Sequence, residues 1–380
     1  MEETSDKNLQ AKNKKSRVRL ISYFIIALVI IGVCYGIYWA VFLSNKVSTD
    51  DAYVTGNQIE VSSQVSGNIE QLNVKNTQYV KQGQVLAILN KQNYKLAYQD
   101  AQISLANSVQ NAVMLQYTIA TLQDQANAQA SALKNSQEDL VRANNSKSTI
   151  SAQTLNNLQN EVNEESYTYK ATLNKLKAEK ALFVSGGVEN QPNVKSAIVN
   201  LKTSWLNLQR AVIVAPESGY IAQLSSQVGE AVSAGSSLFE IIPSNQMWVD
   251  ANFKETQLRN IKPGDKVRIT FDIYGSKVFN GKVVGLQSGT GSAFSLIPAE
   301  NATGNWIKII QRVPVRIALD QNEVAKNPLI IGLSSNVTVY PGKEANKGIK
   351  SLPLSYKTNT LTYNMTYIND LIAKIIKDNE

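Results

Sequence analysis

The chain has 380 residues, of which 43% are hydrophobic and 7% aromatic, and its formal net charge is +8. This length and the low aromatic fraction favour two or three small modules plus an elongated part over one large core. The chain has no histidine and one cysteine, Cys34, which excludes histidine-dependent triads, histidine-ligated zinc, intrachain disulfides and CxxC redox pairs. We therefore expect a protein that is not an enzyme and holds no cofactor or metal.

A basic segment precedes a long uncharged one. Residues 1–19 carry six Lys and Arg side chains against three acidic ones, and residues 20–43 carry no charge. As a helix, residues 20–43 would measure about 36 Å, enough to cross a hydrocarbon core of about 30 Å. The sequence thus predicts a transmembrane helix over 20–43 with a cytoplasmic tail over 1–19, and places the rest outside the inner membrane. A cleaved signal peptide is the alternative, but the apolar run is too long and lacks a good cleavage site.

Two short segments repeat each other at a distance of 152 positions. Residues 66–89 and 218–241 share eight identities without a gap. One copy is too small to bury a core, so we expect the halves over 61–91 and 211–242 to pair as a flattened β-sandwich. The expected pairing and turn positions are Gly67, Ile69, Leu72, Val80, Gly83 and Leu86 in the first half and Gly219, Ile221, Leu224, Val232, Gly235 and Leu238 in the second.

The insertion between the halves, residues 92–210, has a helical pattern. Val194, Ile198, Leu201, Trp205 and Leu208 follow a 4-3-4-3 spacing, which is typical of a narrow coiled-coil seam. Polar residues crowd 142–151, which predicts the chain reversal there, with Ser151 as the N-cap of the returning helix. The glycines and proline of 186–192 predict a break before the last helical segment. An extended hairpin is favoured, and a compact helical bundle is the alternative.

Residues 243–342 change to the alternating pattern of strands. Val313, Val315, Ile317 and Leu319 illustrate it, and the recurring turns predict a small antiparallel β-barrel. We expect residues 44–60 to add a strand to this barrel. Asp250, Phe253, Lys254 and Glu255 are expected to form a barrel edge. The tail over 343–380 ends in a short amphipathic helix, for which docking on the membrane surface, the barrel or a neighbouring subunit is expected.

Several long sequence motifs resemble those of a known protein family. STDDAYVTGN at 48–57, NTQYVKQGQVL at 76–86, MWVDANFKETQ at 247–257 and the long string over 281–317 resemble EmrA-type adaptors, a branch of the HlyD-like membrane fusion proteins. The order of anchor, split lipoyl-like halves, helical hairpin and membrane-proximal barrel is similar as well. The resemblance implies a mixed α and β, elongated, multi-domain fold.

The resemblance also implies a role and partners. Such adaptors join an inner-membrane major-facilitator transporter, similar to EmrB, to a TolC-like outer-membrane channel, assemble as trimers or hexamers, and export hydrophobic drugs. It places channel contact at the hairpin tip, residues Arg142, Asn144, Asn145, Ser146, Lys147 and Ser151. It places transporter contact on the barrel at Asp250, Phe253, Lys254, Glu255, Gly289 and Gly291. Lipid of the inner membrane is a further implied partner, and nucleic acid is not.

The chain departs from the family pattern at the tip. Many such adaptors place Arg, Leu and Ser at fixed spacing there, whereas here Arg142 and Ser151 stand closer together with no leucine between them. A shortened tip that contacts a different channel, or contacts it less closely, is therefore an alternative. Two other functions stay open: an adaptor for an ABC-type secretion system, and a lipoyl or biotinyl carrier, for which Lys91 is the nearest lysine. A coiled-coil protein without a transport role would leave the repeat and the barrel unexplained.

Overall fold

The computed structural model describes residues 22–36, 46–146, 150–290, 310–342 and 356–380. Within these ranges no helix is both long and apolar enough to cross a bilayer. Helix α1, over 22–36, covers part of the segment predicted as an anchor. The remaining anchor residues and the basic tail over 1–19 lie outside the described residues.

The two repeat copies meet in a sandwich of two four-stranded sheets. The first copy supplies β4 (Gly67–Leu72), β5 (Tyr79–Val80) and β6 (Val85–Leu89), preceded by β3 (Ile59–Ser62). The second supplies β8 (Gly219–Leu224), β9 (Ala231–Val232) and β10 (Ser237–Ile242), preceded by β7 (Val212–Val214). The sheet orders are β3-β10-β8-β5 and β7-β6-β4-β9, so each sheet contains strands of both copies.

The copies exchange strands symmetrically. Val80 of β5 pairs with Gly219, and Val232 of β9 pairs with Gly67. The outer strands β3 and β7 likewise pair with β10 and β6 of the opposite copy. Because each apolar face is completed by the other copy, neither half can bury its own core, which is the physical reason for the repeat.

The insertion forms a helical hairpin. The outgoing arm is α2 (Gln92–Asn145), whose 54 residues correspond to about 80 Å of helix. The returning arm begins with α3 (Ala152–Leu182). Ser151 caps α3 by accepting a hydrogen bond from the Thr154 backbone N–H, which confirms the predicted N-cap. The buried side chains of the outer hairpin are few: Ala126 and Ala143 of α2, and Val162, Thr172 and Leu176 of α3.

A break interrupts the returning arm before α4 (Pro192–Arg210). Gly186 and Gly187 have positive φ angles of 111° and 96°, and a short 3₁₀ turn follows over Val188–Asn190. The buried Gln191 amide bonds the Val184 N–H and the Val184 and Gly187 carbonyls. Pro192 opens α4 at its first turn, as predicted.

A seven-stranded antiparallel sheet follows the sandwich. Its strands are β11 (Met247–Lys254), β12 (Lys266–Phe271), β13 (Val278–Leu286), β14 (Arg312–Leu319) and β15 (Ser335–Tyr340), together with β1 (Val47–Thr49) and β2 (Ala52–Gly56). The order is β1-β15-β12-β13-β14-β11-β2. Inward side chains alternate along each strand and fill one core, which includes Val249, Phe253, Ile269, Phe279 and Ile317. A short helix, α5 (Gln321–Lys326), lies between β14 and β15.

The N-terminal strands close this sheet into a barrel. β1 pairs with β15 at one end of the sheet, and β2 pairs with β11 at the other. Val54 of β2 also exchanges backbone hydrogen bonds with 332–333, the segment leading into β15. An ion pair of 2.8 Å between Arg312 and Asp51 holds the bend between β1 and β2. Residues 44–60 thus supply two barrel strands where one was expected, and also reach β3 of the sandwich.

The C-terminal helix lies in none of the expected places. Helix α6 (Thr366–Asn379) packs against α2 and α4 at the base of the hairpin. Its buried residues Ile368, Ile372 and Ile376 share a core with Leu105 and Leu201. The expectation of packing on the barrel is therefore wrong, and the apolar face expected to dock on the membrane or a neighbouring subunit is buried against this chain's own hairpin. The apolar face of α6 covers apolar side chains of α2 and α4 that a two-stranded seam would leave exposed.

Candidate interaction surfaces

The hairpin tip is a tight polar turn. α2 ends at Asn145, where the Ser146 backbone N–H bonds the Ala143 carbonyl. The side chains of Arg142, Asn144, Asn145, Ser146 and Ser151 are exposed, and Lys147 lies outside the described residues. Arg142 forms an ion pair with Asp139, one turn earlier on the same helix. The tip therefore presents amides and hydroxyls, with its one described cation already partly neutralised.

The Ser151 hydroxyl is already bonded within the tip, and a shallow depression lies behind the turn. The Ser151 hydroxyl lies 2.8 Å from the Thr154 hydroxyl and accepts the Thr154 N–H, so it is committed to starting α3. Behind the turn, Lys134, Gln137, Glu138, Val141 and Arg142 line a shallow depression of about 370 Å³ on α2. A protein that docks end-on would meet this depression as well as the turn.

The predicted sandwich residues occupy the junction from which the hairpin projects. Gly83 and Gly235 adopt positive φ angles of 80° and 91° at equivalent turns, which only glycine accepts without strain. Leu72 and Leu224 are partly buried and pack against the sandwich core. The other six apolar positions are buried within that core: Ile69, Val80, Leu86, Ile221, Val232 and Leu238. Strand β7, which follows α4, pairs with β6, which precedes α2. The two arms therefore leave and re-enter the sandwich side by side.

The predicted transporter-contact residues do not form one surface. Phe253 is fully buried in the barrel core, so its assignment as a contact residue is wrong. The alternation of β11 explains this, because Val249, Ala251 and Phe253 share the inner face. β11 is also not an edge, since it pairs with β14 and β2. Asp250, Lys254 and Glu255 remain accessible, Gly289 is half-buried, and Gly291 lies outside the described residues.

Asp250 belongs to a cluster that sequence reasoning missed. The Trp248 indole N–H donates to Asp250 Oδ2 at 2.8 Å, and Arg316 Nε lies 3.8 Å from Asp250 Oδ1. The Arg316 guanidinium stacks on the Trp248 ring, with its carbon 4.2 Å from the ring centre. Asp250 and Arg316 are register partners on β11 and β14. The only sequence signal was the alternation along each strand, which places Asp250 and Arg316 on the outward faces of two strands that are distant in the chain.

Tyrosines surround the junction between α6 and the hairpin base. Tyr363, just before α6, meets the Trp205 ring edge-on with the ring centres 6.4 Å apart. Burial raises the pKa of Tyr363 above its usual value, and the nearby Arg210 opposes that rise. Burial also raises the pKa of Tyr98 on α2, against a hydrogen bond from Gln102. Both phenols are therefore held neutral more firmly in the docked state than in water.

This arrangement predicts that alkaline pH loosens the junction. A tyrosine in an unfolded chain ionises near pH 10, and the folded pKa of Tyr98 and Tyr363 is higher. Their contribution to stability is full below the unfolded pKa and is lost as pH rises through the folded pKa. We expect the melting temperature to fall more steeply above about pH 10 in the native protein than in Tyr98→Phe/Tyr363→Phe. Equal slopes in the two melting series would contradict this.

An uncharged recess lies where the sandwich meets the barrel. It measures about 460 Å³ and is lined by Thr77, Tyr220, Ile242, Met247, Leu329 and Ile331, among others. That volume and the apolar lining are in the range of small-molecule pockets. Across the parts of the chain that the structure describes, no group of three or more Cys, Asp or Glu residues is placed to hold a metal ion.

Comparison with known proteins gives matches along nearly the whole chain. Residues 92–211 match the family model of the EmrA alpha-helical hairpin domain, and residues 246–340 match that of the AAEA-like beta-barrel domain. The multidrug export protein EmrA of Haemophilus influenzae is 40% identical over 97% of this chain and 96% of its own length. The Escherichia coli protein of the same name is 39% identical over 91% and 90%.

A solved structure of the periplasmic adaptor protein EmrA aligns with 78% of this chain and 99% of its own, at 19% identity and a TM-score of 0.41. The full-length sequence matches decide the family. The hairpin and barrel defined above are the two regions that the family models cover. The chain belongs to the EmrA family of multidrug export membrane fusion proteins.

Proposed function

We propose that this protein is the periplasmic adaptor of a tripartite efflux pump and that it is not an enzyme. Residues 20–43 anchor it in the inner membrane as a single span, with residues 1–19 in the cytoplasm. The lipoyl-like sandwich and the barrel stand on the periplasmic side. The adaptor couples a major-facilitator transporter similar to EmrB to a TolC-like channel and assembles as a trimer or hexamer. Its cargo is hydrophobic drugs and other toxic compounds.

One observation carries this proposal. The hairpin arms start and finish on adjacent strands β6 and β7, and α2 alone extends about 80 Å from that point. Such a projection, rooted in the sandwich that adjoins the barrel, supports a bridge between two membranes. The printed names of full-length relatives, multidrug export proteins, support drugs as the cargo. The polar tip supports channel contact through Arg142, Asn144, Asn145, Ser146, Lys147 and Ser151.

Shortening the hairpin should abolish export without loss of protein. Replacing residues 130–165 by a short Gly-Ser turn removes about 24 Å of reach, from 16 residues of α2. We expect cells with this variant to be as sensitive to hydrophobic toxicants as cells without the gene. The measurement is the minimum inhibitory concentration, together with immunoblots of the membrane fraction.

A matched control separates reach from tip chemistry. Exchanging only residues 146–150 for a Gly-Ser turn keeps α2 and α3 at full length. This variant should preserve resistance, because the bridge depends on the length of the hairpin. Photo-crosslinks from position 142 should capture an outer-membrane channel. Equal export by the native and the trimmed protein would refute the bridging role. Recovery of a P-loop ATPase instead of a permease with the adaptor would favour secretion over drug efflux.

A further inference from the structure

The outer face of the barrel carries three cations without ionic partners. Lys266 and Arg268 lie two residues apart on β12, and Lys282 lies on β13 directly opposite Lys266. All three are exposed. Among the described residues, none of them forms an ion pair or a side-chain hydrogen bond. Like charges opposite one another on neighbouring strands destabilise a sheet, so this face carries an electrostatic cost that nothing in the described chain offsets.

The cations surround a recess. It measures about 480 Å³, and Val267, Asn280, Gly281 and Tyr340 complete its lining. Glu323 on α5 is occupied, because it accepts the backbone N–H and the side-chain amide of Asn280, each at 2.8 Å. The recess therefore offers one guanidinium and two ammonium groups, which are the donors that bind phosphate oxygens in proteins.

The position of the recess in the barrel points to its ligand. Val47, the first residue of β1, pairs with Val339, and Val339 pairs with Val267. The neighbouring rung joins Tyr340, Lys266 and Lys282. With strands about 4.8 Å apart, Lys266 and Lys282 lie roughly 10 and 14 Å across the sheet from the point where the chain enters the barrel.

The entry point is close to the proposed anchor. Four residue steps separate Leu43 from Val47, and an extended chain spans at most about 3.6 Å per residue. Val47 therefore lies within about 14 Å of the membrane end of the anchor. The cations stand at the same end of the barrel, where the charge of a membrane surface is only partly screened over a Debye length of about 8 to 10 Å.

We propose that Lys266, Arg268 and Lys282 form a docking site for the headgroups of anionic phospholipids in the outer leaflet of the inner membrane. The site rests on the proposed anchor over 20–43. It would fix the rotation of the barrel relative to the membrane, which a single covalent connection does not do by itself. Arg268 supplies the planar fork and the two lysines supply point charges, so the site recognises a phosphodiester whose negative charge no headgroup cation compensates, and not the acyl chains.

Lipid retention by the full-length protein tests this. The protein is reconstituted in nanodiscs with equal phosphatidylglycerol and phosphatidylcholine, transferred to a neutral detergent, and analysed by native mass spectrometry. We expect native protein to retain phosphatidylglycerol preferentially. In Lys266→Gln/Arg268→Gln/Lys282→Gln the ratio of retained phosphatidylglycerol to phosphatidylcholine should fall at least tenfold, since each basic group near an anionic surface contributes about fivefold.

Two matched variants control for net charge and folding. Lys95→Gln/Lys175→Gln/Lys195→Gln removes the same charge from exposed hairpin lysines and should keep the native lipid ratio. Lys266→Arg/Arg268→Lys/Lys282→Arg keeps the charge in place and should also keep the ratio. An unchanged lipid ratio in the triple glutamine variant would overturn the proposal. That holds even if the same variant no longer co-purifies with an acidic partner protein.

The outcome is separable from that of the proposed function. Drug resistance conferred by the native protein tests the adaptor role without reference to lipid. If native protein confers resistance and the lipid ratio is the same in all variants, the headgroup site alone is refuted. If native protein retains phosphatidylglycerol through these cations but confers no resistance, the adaptor role is refuted and the site stands.

Discussion

Gly219→Ala should unfold the sandwich, whereas Gly67→Ala should leave it intact. A Cβ at position 219 would lie 2.4 Å from the Ile242 carbonyl oxygen and 2.7 Å from its carbonyl carbon. These are backbone atoms of β10, hydrogen-bonded to β8, so they cannot move aside without breaking the ladder. At Gly67 the nearest atom to an added Cβ is Leu89 Cβ at 3.6 Å, an ordinary contact.

The repeat makes Gly67 a close internal control for Gly219. Both glycines open the first strand of a copy and pair with a valine of the other copy. Overpacking of a core usually costs about 1–3 kcal/mol and sometimes more, and a clash with backbone belongs at the upper end. We expect Gly219→Ala to lose about 3 kcal/mol or more and Gly67→Ala to change stability by less than about 1 kcal/mol.

Chemical denaturation of the full-length protein in detergent measures this difference. Loss of the sandwich would also remove the shared base of α2 and α4, so Gly219→Ala should abolish drug resistance. Two variants of equal stability would show that β8 and β10 are not packed as closely as described. A stable Gly219→Ala protein without resistance would instead assign Gly219 a role in assembly.

The second large effect concerns the C-terminal helix. Ile368→Ala/Ile372→Ala/Ile376→Ala should release α6 from the hairpin. The three side chains are 0%, 7% and 4% exposed, and each truncation of a buried isoleucine costs about 2–5 kcal/mol. A helix of 14 residues is marginal on its own in water, where about 12–15 residues are needed even for good helix formers. The packing free energy lost in the triple variant is therefore more than α6 can lose and still remain helical and docked on the hairpin.

Hydrogen exchange of the native and variant proteins shows the release directly. Amides of α6 should exchange like those of an unfolded peptide, and protection should fall in α2 around Leu105 and Val109, which α6 covers. Asn369→Ala/Asp370→Ala/Lys374→Ala changes three exposed positions of the same helix and should leave exchange unchanged. Native-like protection in the triple isoleucine variant would mean that α6 is not needed to cover the hairpin base.

The sequence predicted those features that have a local or periodic signal. The repeat indicated that two distant halves belong together, and the turn glycines Gly83 and Gly235 have the expected positive φ. Heptad spacing predicted the hairpin, while Ser151 and Pro192 marked helix starts. Each of these follows from residues that are neighbours in the chain or equivalent in the repeat.

The features that were missed depend on contacts between distant segments. An amphipathic pattern shows that one face of α6 is covered, but not that α2 and α4 cover it. Alternation along β11 fixes which residues share a face, but the inward direction of Phe253 follows only from the closure of the barrel by β1 and β2. The strand exchange was also hidden, because the similarity of the two copies gives no sign of which copy each strand pairs with.

That exchange has a consequence for biosynthesis. The ribosome finishes the first copy 152 positions ahead of the strands that complete its sheets, a delay of roughly 8–30 s at about 5–20 residues per second. During that interval β4 and β6 have each other but lack their outer partners β9 and β7, and their apolar faces and open edges invite association with other nascent chains. Chaperones or rapid passage across the membrane must protect this window, and mutations that slow synthesis between the copies should lower yield even when the finished protein is fully stable.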